Sequence, residues 1–382
     1  MVLDPSSPAA AADSIRVMLV DDSAVVRGLV TRILEGEPGI SVVASVGNGQ
    51  MALASLERNE IDVVILDIEM PVMDGLTALP KLLKIDPGLK VIMQSTLTLK
   101  GADVSLRAME MGAADYIPKP TSTRDLAGGA DFKAELVGKI RALGQARKGG
   151  AARPARPGGP PATRPLPPTT RTVVPIHPPG PPQLRSNTPE PPDIITIGSS
   201  TGGPQALFSV LGTMKAGTVR QPILITQHMP ATFTTILAEH ISRISGWDAR
   251  AGQDGEVITS GRVYIAPGDF HMVVETKGTD KVLRLNKNPP ENFCRPAVDP
   301  MLRSIAAAYG KRVLTCILTG MGADGMKGGQ AVVASGGTVI AQDEATSVVW
   351  GMPGAAATAG ICSAVLPLPE IAPWIMKLAA RR

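Results

Sequence analysis

Short apolar runs alternate with helical periodicities along the first part of the chain. Four runs, IRVMLV (15–20), DVVILD (62–67), KVIMQS (90–95) and DYIPKP (115–120), predict buried strands. Between the first two, apolar residues recur at the spacing of one helical face, after a plausible N-cap at Ser23: Val26, Leu29, Val30, Ile33 and Leu34. A later face comprises Phe132, Leu136, Val137, Ile140 and Leu143. The alternation predicts a parallel sheet with helices on both faces.

The same alternation resumes after residue 192. DIITIG (193–198), PILITQH (222–228) and VLTCILTG (313–320) predict strands, and a helical face follows the second: Phe233, Ile236, Leu237, His240, Ile241 and Ile244. RVYIAPG (262–268) and HMVVETKGTDKVLRLN (271–286) alternate around a Lys277-Gly278 turn signal and predict an antiparallel hairpin at one edge. We therefore expect a second parallel α/β domain. Pro80, inside GLTALPKLLK, predicts a kinked or late-starting helix.

A proline-rich stretch separates the two regions. Residues 149–192 hold 15 of the 35 prolines, five arginines and one acidic residue. Proline fixes φ and removes a backbone donor, so this composition predicts a semi-extended tether. The predicted organisation is a domain at 14–147, a linker at 148–192 and a domain at 193–382.

Composition narrows the functional class. The net charge of +4 could suggest nucleic-acid binding, but the linker, with five arginines and one acidic residue, holds much of the basic excess, so no nucleic-acid partner is expected. Three scattered cysteines, Cys294, Cys316 and Cys362, argue for a reducing compartment and are expected in the core. No run approaches the roughly 18 apolar residues of a spanning helix, and the first residues do not resemble a signal peptide. These features predict a soluble cytoplasmic protein without membrane insertion.

Acidic residues follow the predicted strands of the first region. Asp21 and Asp22 follow the run at 15–20, Asp67 ends the run at 62–67, Ser95 ends the run at 90–95, and Lys119 lies near the end of the run at 115–120. Ligands collect at the carboxyl ends of parallel strands, where three carboxylates repel one another unless a hard cation such as Mg²⁺ lies among them. The alternative is a set of salt-bridged acids at a sheet edge, but agreement across distant positions favours an aspartyl phosphorylation site.

The motifs VDDS (20–23), LDIEMPVMDG (66–75), Ser95 and KP (119–120) resemble those of two-component receiver domains. The resemblance covers residues 14–147 and implies a flavodoxin-like fold. It further implies that a histidine kinase phosphorylates Asp67 and that Asp21, Asp22 and Asp67 hold Mg²⁺. Ser95 and Lys119 would contact the phosphoryl group, and Tyr116 would report the switch.

The stretch IITIGSSTGG (194–203) has the composition of a strand-to-helix bend. It lacks the Lys of a phosphate-binding loop, and its glycines do not have the spacing of a dinucleotide fingerprint. It does fit G-x-S-x-G with Ser200 exposed at a sharp turn. A serine needs a base and a carboxylate to act as a nucleophile, and the ends of two further strands supply His228 and Asp324. His240, on an apolar helix face, and His271, in the hairpin, are weaker candidates.

The motifs IGSSTGG, ITQHMP, YIAPGDFH, RPAVDP, LTGMGADG and AQDEATSVVWGMPGAA, in this order after a receiver, resemble the chemotaxis protein-glutamate methylesterase/glutaminase family. The resemblance implies a Rossmann-like domain with Ser200 as nucleophile, His228 as base and acid, and Asp324 as orienting carboxylate. Thr201 and Met321 would line the site, with Met321 as an oxyanion donor. Chemoreceptors would be the substrates, and the esterase chemistry would need no cofactor. Ser199 departs from the family, which usually has alanine there.

Two other functions would also be compatible with a receiver followed by a linker and a second domain. A response regulator with a DNA- or protein-binding output would carry a helix-turn-helix or winged element after the linker, and none is evident. A catalytically inactive scaffold is disfavoured because all three triad positions are occupied. The hydrolase reading also predicts that the unphosphorylated receiver covers the catalytic cleft and that phosphorylation opens it.

Overall fold

A computed structural model describes residues 14–119, 130–149, 183–186 and 190–380. Most of the predicted linker, including its proline-rich part, lies outside the described residues. Among those residues, no helix combines the length and the apolar character needed to cross a bilayer.

The first unit is a parallel sheet of five strands in the order β2-β1-β3-β4-β5, which confirms the predicted parallel sheet. The strands are β1 Ile15–Val20, β2 Ile40–Val46, β3 Val63–Asp67, β4 Lys90–Ser95 and β5 Asp115–Pro118. The helices are α1 Ala24–Glu35, α2 Gly49–Arg58, α3 Gly75–Ile85, α4 Leu99–Glu110 and α5 Ala130–Gly149. Val- and Ile-rich strands such as β3 are buried along their whole length because helices cover both faces of the sheet.

Local signals account for several helix boundaries. The hydroxyl of Ser23 accepts a hydrogen bond from the amide of Val26, which confirms the predicted N-cap. Asp74 caps α3 in the same way, and the helix continues through Pro80. Of the two predicted effects of Pro80, the late start was therefore wrong, because the cap at Asp74 lets the helix begin at Gly75, five residues before the proline. The kink stays a prediction.

The second unit is a parallel sheet of seven strands in the order β14-β13-β12-β6-β7-β9-β8. These strands are β6 Ile194–Ser199, β7 Ile223–Gln227, β8 Asp248–Ala251, β9 Arg262–Ile265, β12 Val313–Ile317, β13 Thr338–Gln342 and β14 Ala364–Leu366. The hairpin consists of β10 His271–Lys277 and β11 Asp280–Asn286 alone. RVYI was wrongly grouped with it: this segment is β9, parallel to β7 in the main sheet.

Six helices cover this second sheet. They are α6 Gly203–Thr213, α7 Ala231–Ser245, α8 Val298–Tyr309, α9 Met326–Ala334, α10 Met352–Thr358 and α11 Leu368–Ala379. The order of the strands reverses at β6, which lies between β12 and β7. In parallel sheets the crevice at such a reversal is the usual ligand site.

The two units pack against each other through α4 of the first and α6 and α7 of the second. The side-chain amide of Gln205 donates to the carbonyl oxygens of Met109 (2.9 Å) and Ala113 (2.7 Å). The ring of Tyr116 stacks on Phe233 with the centroids 4.2 Å apart. Since α6 begins just after Ser200 and α7 just after His228, the interface reaches the rim of the second sheet.

Candidate active sites

The carboxylates of the first sheet meet at its carboxyl edge. Val20 pairs with Leu66, so Asp21 and Asp67 extend from neighbouring strand ends. Asp21, Asp22 and Asp67 each offer an oxygen within 4.8 Å of the others. Lys119 Nζ lies 2.7 Å from Asp67 Oδ2 and 3.5 Å from Asp21 Oδ2. In the described part of the chain these two buried oxygens have no hydrogen-bond donor besides that ammonium group, which fits a hard cation among them.

Burial dominates the electrostatics of Asp67. Burial raises the pKa of Asp67 to about 6, although the ammonium group of Lys119 lowers it, and the nearby Asp21 adds to the rise. Desolvation opposes the charge of Lys119, but Asp67 and Asp21 together raise the pKa of this lysine. The uncompensated negative charge favours binding of a divalent cation.

The remaining receiver residues surround this carboxylate cluster. Ser95 ends β4, and its hydroxyl accepts a hydrogen bond from Ser105 (2.8 Å). The carbonyl oxygen of Ser95 accepts from the backbone amide of Lys119 (2.7 Å). Tyr116 is buried, with Lys139 Nζ 4.8 Å from its ring centroid and Phe233 on the ring face. The predicted switch tyrosine therefore lies at the contact between the two units.

The carboxyl edge of the second sheet carries Ser200, His228 and Asp324. Parallel pairing of Ser199 with Gln227 and of Ile317 with Gly198 brings the ends of β6, β7 and β12 together. Ser200 occupies the bend between β6 and α6, where Gly202 adopts a φ of 76°. A side chain at Gly320 would lie 2.8 Å from the Cβ of Ser200, so only glycine allows this close approach.

His228 and Asp324 form a close pair. The ring Nε2 of His228 lies 2.7 Å from Asp324 Oδ2, and both residues are largely buried. Burial by itself would lower the pKa of His228, but the bond to Asp324 and the neighbouring Cys294 raise it to about 10. Burial would raise the pKa of Asp324, yet His228 and backbone donors hold it below its ordinary value. Each residue of the pair therefore favours the charged form of the other.

Asp324 is surrounded by donors. Its Oδ2 accepts from the amide of Val298 (2.6 Å), and its Oδ1 accepts from the amides of Asp299 and Gly325 (both 3.0 Å). The side-chain amide of Asn292 adds a bond of 2.8 Å to Oδ1. These donors orient the carboxylate and stabilise its charge. A fixed carboxylate facing a histidine suits the orienting role that a serine hydrolase requires.

The two adjacent serines have different surroundings. Ser199 is fully buried, and its hydroxyl donates to Gln227 Oε1 (2.7 Å). The amide of Gln227 in turn donates to the carbonyl oxygens of Ser200 (2.9 Å) and His228 (3.2 Å). Ser200 is the partly exposed serine at the bend. Gln227 therefore connects, by hydrogen bonds, the bend that holds Ser200 and the end of β7 that precedes His228.

Thr201 and Met321 follow the ends of two neighbouring strands at this edge, β6 and β12. Thr201 is buried, and its carbonyl oxygen accepts from the hydroxyl of Thr319 (2.9 Å). Met321 is 41% exposed, and its Cε lies 3.4 Å from where a side chain at Gly138 of α5 would begin. The oxyanion role of Met321 stays a prediction.

Several residues of the site escaped sequence reasoning. Asn292 and Asp299 contact each other (3.1 Å) and both bond to Asp324, and Asp299 also accepts from the amide of Gly328 (2.6 Å). Cys294, expected in the core, lies 3.4 Å from Nδ1 of His228. The one sequence feature that could have indicated Asn292 and Cys294 is their position immediately before the motif RPAVDP. Cys316 and Cys362 are buried as expected.

His240 is buried as predicted, but its partners belong to the other unit. Its Nε2 lies 2.8 Å from Asp103 and its Nδ1 3.0 Å from Glu110, both on α4. Arg243 donates to the same Glu110 (3.0 Å). The helical periodicity predicts that His240 lies on an apolar face, but it cannot predict that the acidic side chains of α4 in the first unit lie against that face.

Comparison with known proteins identifies both units. A family model described as CheB methylesterase matches residues 195–375, and one described as response regulator receiver domain matches residues 17–129. A receiver domain implies phosphorylation, which is typically Mg²⁺-dependent. The match to a methylesterase favours the hydrolase over a DNA-binding output domain.

Whole-length relatives agree with these matches. A "Protein-glutamate methylesterase/protein-glutamine glutaminase 1" from Paramagnetospirillum magneticum is 91% identical over 384 residues, covering 100% of both chains. The protein of the same name from Rhodospirillum rubrum is 61% identical and covers 96% of both chains. The solved "CheB methylesterase catalytic domain" of Thermotoga maritima is 40% identical, with a TM-score of 0.48, covering 49% of this chain and 98% of that one. The chain belongs to the family of protein-glutamate methylesterases/protein-glutamine glutaminases that carry a receiver domain.

Proposed function

We propose that the protein is a phosphorylation-gated serine hydrolase of chemotactic adaptation, acting at membrane receptor arrays. Its substrates would be methyl-esterified glutamates of chemoreceptors, and specific receptor glutamines would be deamidated at the same site. The relatives' names support the reaction. The observation that carries the proposal is the arrangement of three neighbouring strand ends. Ser200 follows β6, and the strands on either side of it, β7 and β12, lead to the paired His228 and Asp324.

The chemistry follows from these three side chains. Ser200 Oγ attacks the carbonyl carbon of the side-chain ester while His228 takes the hydroxyl proton. Because Nε2 faces Asp324, Nδ1 is the nitrogen that would have to take the proton of Ser200. The tetrahedral oxyanion collapses, and methanol leaves with the proton from His228. Water, deprotonated by the same nitrogen, then attacks the glutamyl ester of Ser200 and releases the receptor carboxylate.

Deamidation of glutamine uses the same steps with ammonia as the leaving group. An amide nitrogen leaves poorly unless it is protonated, so the acid role of His228 matters more for this substrate. The backbone near Thr201 and Met321 would donate to the oxyanion in both reactions.

The receiver would accept a phosphoryl group on Asp67 from a histidine kinase. Asp21, Asp22 and Asp67 would hold Mg²⁺, whose charge offsets the negative charge gathered at this edge. Lys119 is already within 2.7 Å of Asp67 and would contact the phosphoryl oxygens together with Ser95. The buried oxygens of Asp21 and Asp67 support this assignment.

Gating is supported by where the receiver packs. The α4 helix lies on α6 and α7, the two helices that follow Ser200 and His228, and α5 lies beside Met321. Tyr116 lies on β5, the strand that leads to Lys119, and stacks on Phe233 at this surface. Phosphorylation that moves Tyr116 would weaken the interface and expose the rim to a receptor.

Methanol release from methyl-labelled receptor membranes tests the proposal. The wild type and Ser200→Ala are compared with and without Mg²⁺ and a small phosphodonor. Donor-stimulated release that is lost in Ser200→Ala supports the esterase, its nucleophile and its phosphorylation dependence. Absence of release from the wild type under every condition would refute it. Activity that is unchanged by deletion of residues 1–148 and independent of phosphorylation would refute gating alone.

A further inference from the structure

The ring of His228 is engaged at both nitrogens. Nε2 lies 2.7 Å from Asp324 Oδ2, and Nδ1 lies 3.4 Å from Cys294 Sγ, within hydrogen-bonding distance for sulfur. Across the described residues, Ser200 Oγ has no hydrogen bond to this ring. A histidine has two ring nitrogens, so the one needed by Ser200 is occupied by a thiol.

Cys294 is held at this position by the site itself. It closes a tight turn with Glu291, in which each residue's amide donates to the other's carbonyl oxygen (3.1 and 2.9 Å). Asn292 and Phe293 within the turn adopt φ values of 51° and 63°. Such left-handed conformations are unfavourable for residues other than glycine and persist when surrounding contacts enforce them. Asn292 supplies that contact, because its side chain donates to Asp324.

The outer side of the turn faces solvent. Phe293, at its tip, is fully exposed to solvent. Cys294 itself is only partly buried, unlike Cys316 and Cys362. Displacing the turn therefore does not require disruption of the apolar core.

We propose that Cys294 is a positioning residue that masks His228, pairing with Nδ1 in the resting enzyme so that the ring cannot accept the proton of Ser200. The inference rests on the proposed role of His228 as the base. It holds for either protonation state of the pair. A thiol that donates to the ring occupies the lone pair of Nδ1, and a thiolate that accepts from the ring keeps its proton in place.

The charge state of the ring agrees with masking. Burial would lower the pKa of His228, but Asp324 and Cys294 raise it to about 10. Near neutral pH the ring therefore carries a proton and is a poor base. Loss of Cys294 removes one of the two raising interactions, so the pKa should fall and the basic form should be populated at lower pH.

Steady-state kinetics of the full chain test this role. Cys294→Ala should raise kcat of the unphosphorylated enzyme at neutral pH by about threefold to tenfold, with KM unchanged and the acid limb of the pH profile shifted downward. Cys294→Ser, which keeps a hydrogen-bonding group, should lie closer to the wild type. An unchanged rate and pH profile in Cys294→Ala would overturn the proposal. So would a loss of kcat that serine restores, since that result assigns Cys294 a supporting role in catalysis.

Nuclear magnetic resonance titration of the histidine side chains gives a readout independent of turnover. The signal of His228 is assigned by its absence in His228→Gln. Its pKa should fall in Cys294→Ala and stay unchanged in Phe293→Ala, a control in the same turn that does not contact the ring. An equal pKa in the wild type and Cys294→Ala would overturn the proposal. Absence of Ser200-dependent methanol release would instead refute the hydrolase, and the titration would still decide whether sulfur and ring are paired.

Discussion

Asp67 and Asp324 occupy comparable places in the two units and behave in opposite ways. Each is a buried aspartate at the carboxyl edge of a parallel sheet, 1% exposed. The pKa of Asp67 is raised to about 6, mainly by burial, whereas the pKa of Asp324 is lowered. Asp67 lies among other carboxylates with one lysine, while Asp324 accepts from three backbone amides, Asn292 and His228.

The difference shows that neighbours, more than burial, decide what a strand-end carboxylate can do. Around Asp67 negative charge is left over, which favours a cation and an incoming phosphoryl group. Around Asp324 the negative charge is balanced by hydrogen-bond donors of the protein, so the carboxylate can orient a protonated histidine without itself reacting. One architecture thus supports a covalent acceptor in the first unit and a fixed orienting group in the second.

The largest effect is expected from Ser200→Ala, which removes the proposed nucleophile of the second unit. Esterase activity should fall by at least about 10⁴-fold, since loss of one member of a catalytic serine set removes most of its rate enhancement. Ser199→Ala is the matched control and should retain most of the activity, because the hydroxyl of Ser199 faces Gln227. Methanol release measures both. Equal losses in the two variants would contradict the assignment of the nucleophile.

Replacing Asp324 or Asp67 by asparagine tests whether the two aspartates have different roles. Asp324→Asn should reduce activity by about 10³- to 10⁴-fold with or without phosphodonor, because the ring of His228 loses its charged partner. It should also lower the pKa of His228, since the carboxylate is one of the groups that raise it. Rates with and without donor and a histidine titration provide the readouts. Normal activity of Asp324→Asn would contradict the different roles assigned to Asp67 and Asp324.

Asp67→Asn should abolish phosphodonor stimulation while leaving basal activity in place. The amide cannot form the acyl phosphate, but it does not touch Ser200, His228 or Asp324. Asp74→Asn is the control, because asparagine caps α3 as well as aspartate does. Labelling with a radioactive phosphodonor and methanol release are measured together. Stimulation that persists in Asp67→Asn would show that another residue accepts the phosphoryl group.

Mg²⁺ should stabilise the first unit alone. At a concentration about 100 times its Kd, a ligand that binds only the folded state adds about 2.7 kcal/mol to its stability. The thermal midpoint of the receiver transition should therefore rise with Mg²⁺ in the wild type and in Asp324→Asn, and chelation should reverse the rise. Asp22→Asn and Asp67→Asn should lose this response. A response retained in both would place the cation elsewhere.

The smallest effect is expected at the contact between the two units. Glu110→Gln weakens the bonds to His240 and Arg243, and partly exposed ion pairs contribute modestly, so basal activity should rise about twofold to fivefold. Glu275→Gln, which breaks an ion pair with Arg284 on the hairpin, should leave basal activity unchanged. Methanol release without phosphodonor measures the effect. A fall in basal activity of Glu110→Gln would contradict a covering role for the receiver.

Residues that follow strands were the predictable part of both sites. Strand ends at Asp67, Ser95, Gln227 and Ile317 can be located from apolar runs, and parallel topology places the following residues at one edge. The hairpin boundary was less predictable. RVYI has the alternation of a hairpin strand, but its pairing with β7 depends on long-range contacts that no local pattern records.

The sequence by itself determined the two parallel α/β units, the acidic edge of the first and the serine, histidine and aspartate of the second. These features follow from local periodicity and from the common direction of the strands. Only the tertiary structure decided that Cys294 faces the ring of His228, that His240 bonds to α4 and that Tyr116 stacks on Phe233. Each of these contacts joins residues from separate segments, and their geometry depends on turn conformation and domain packing.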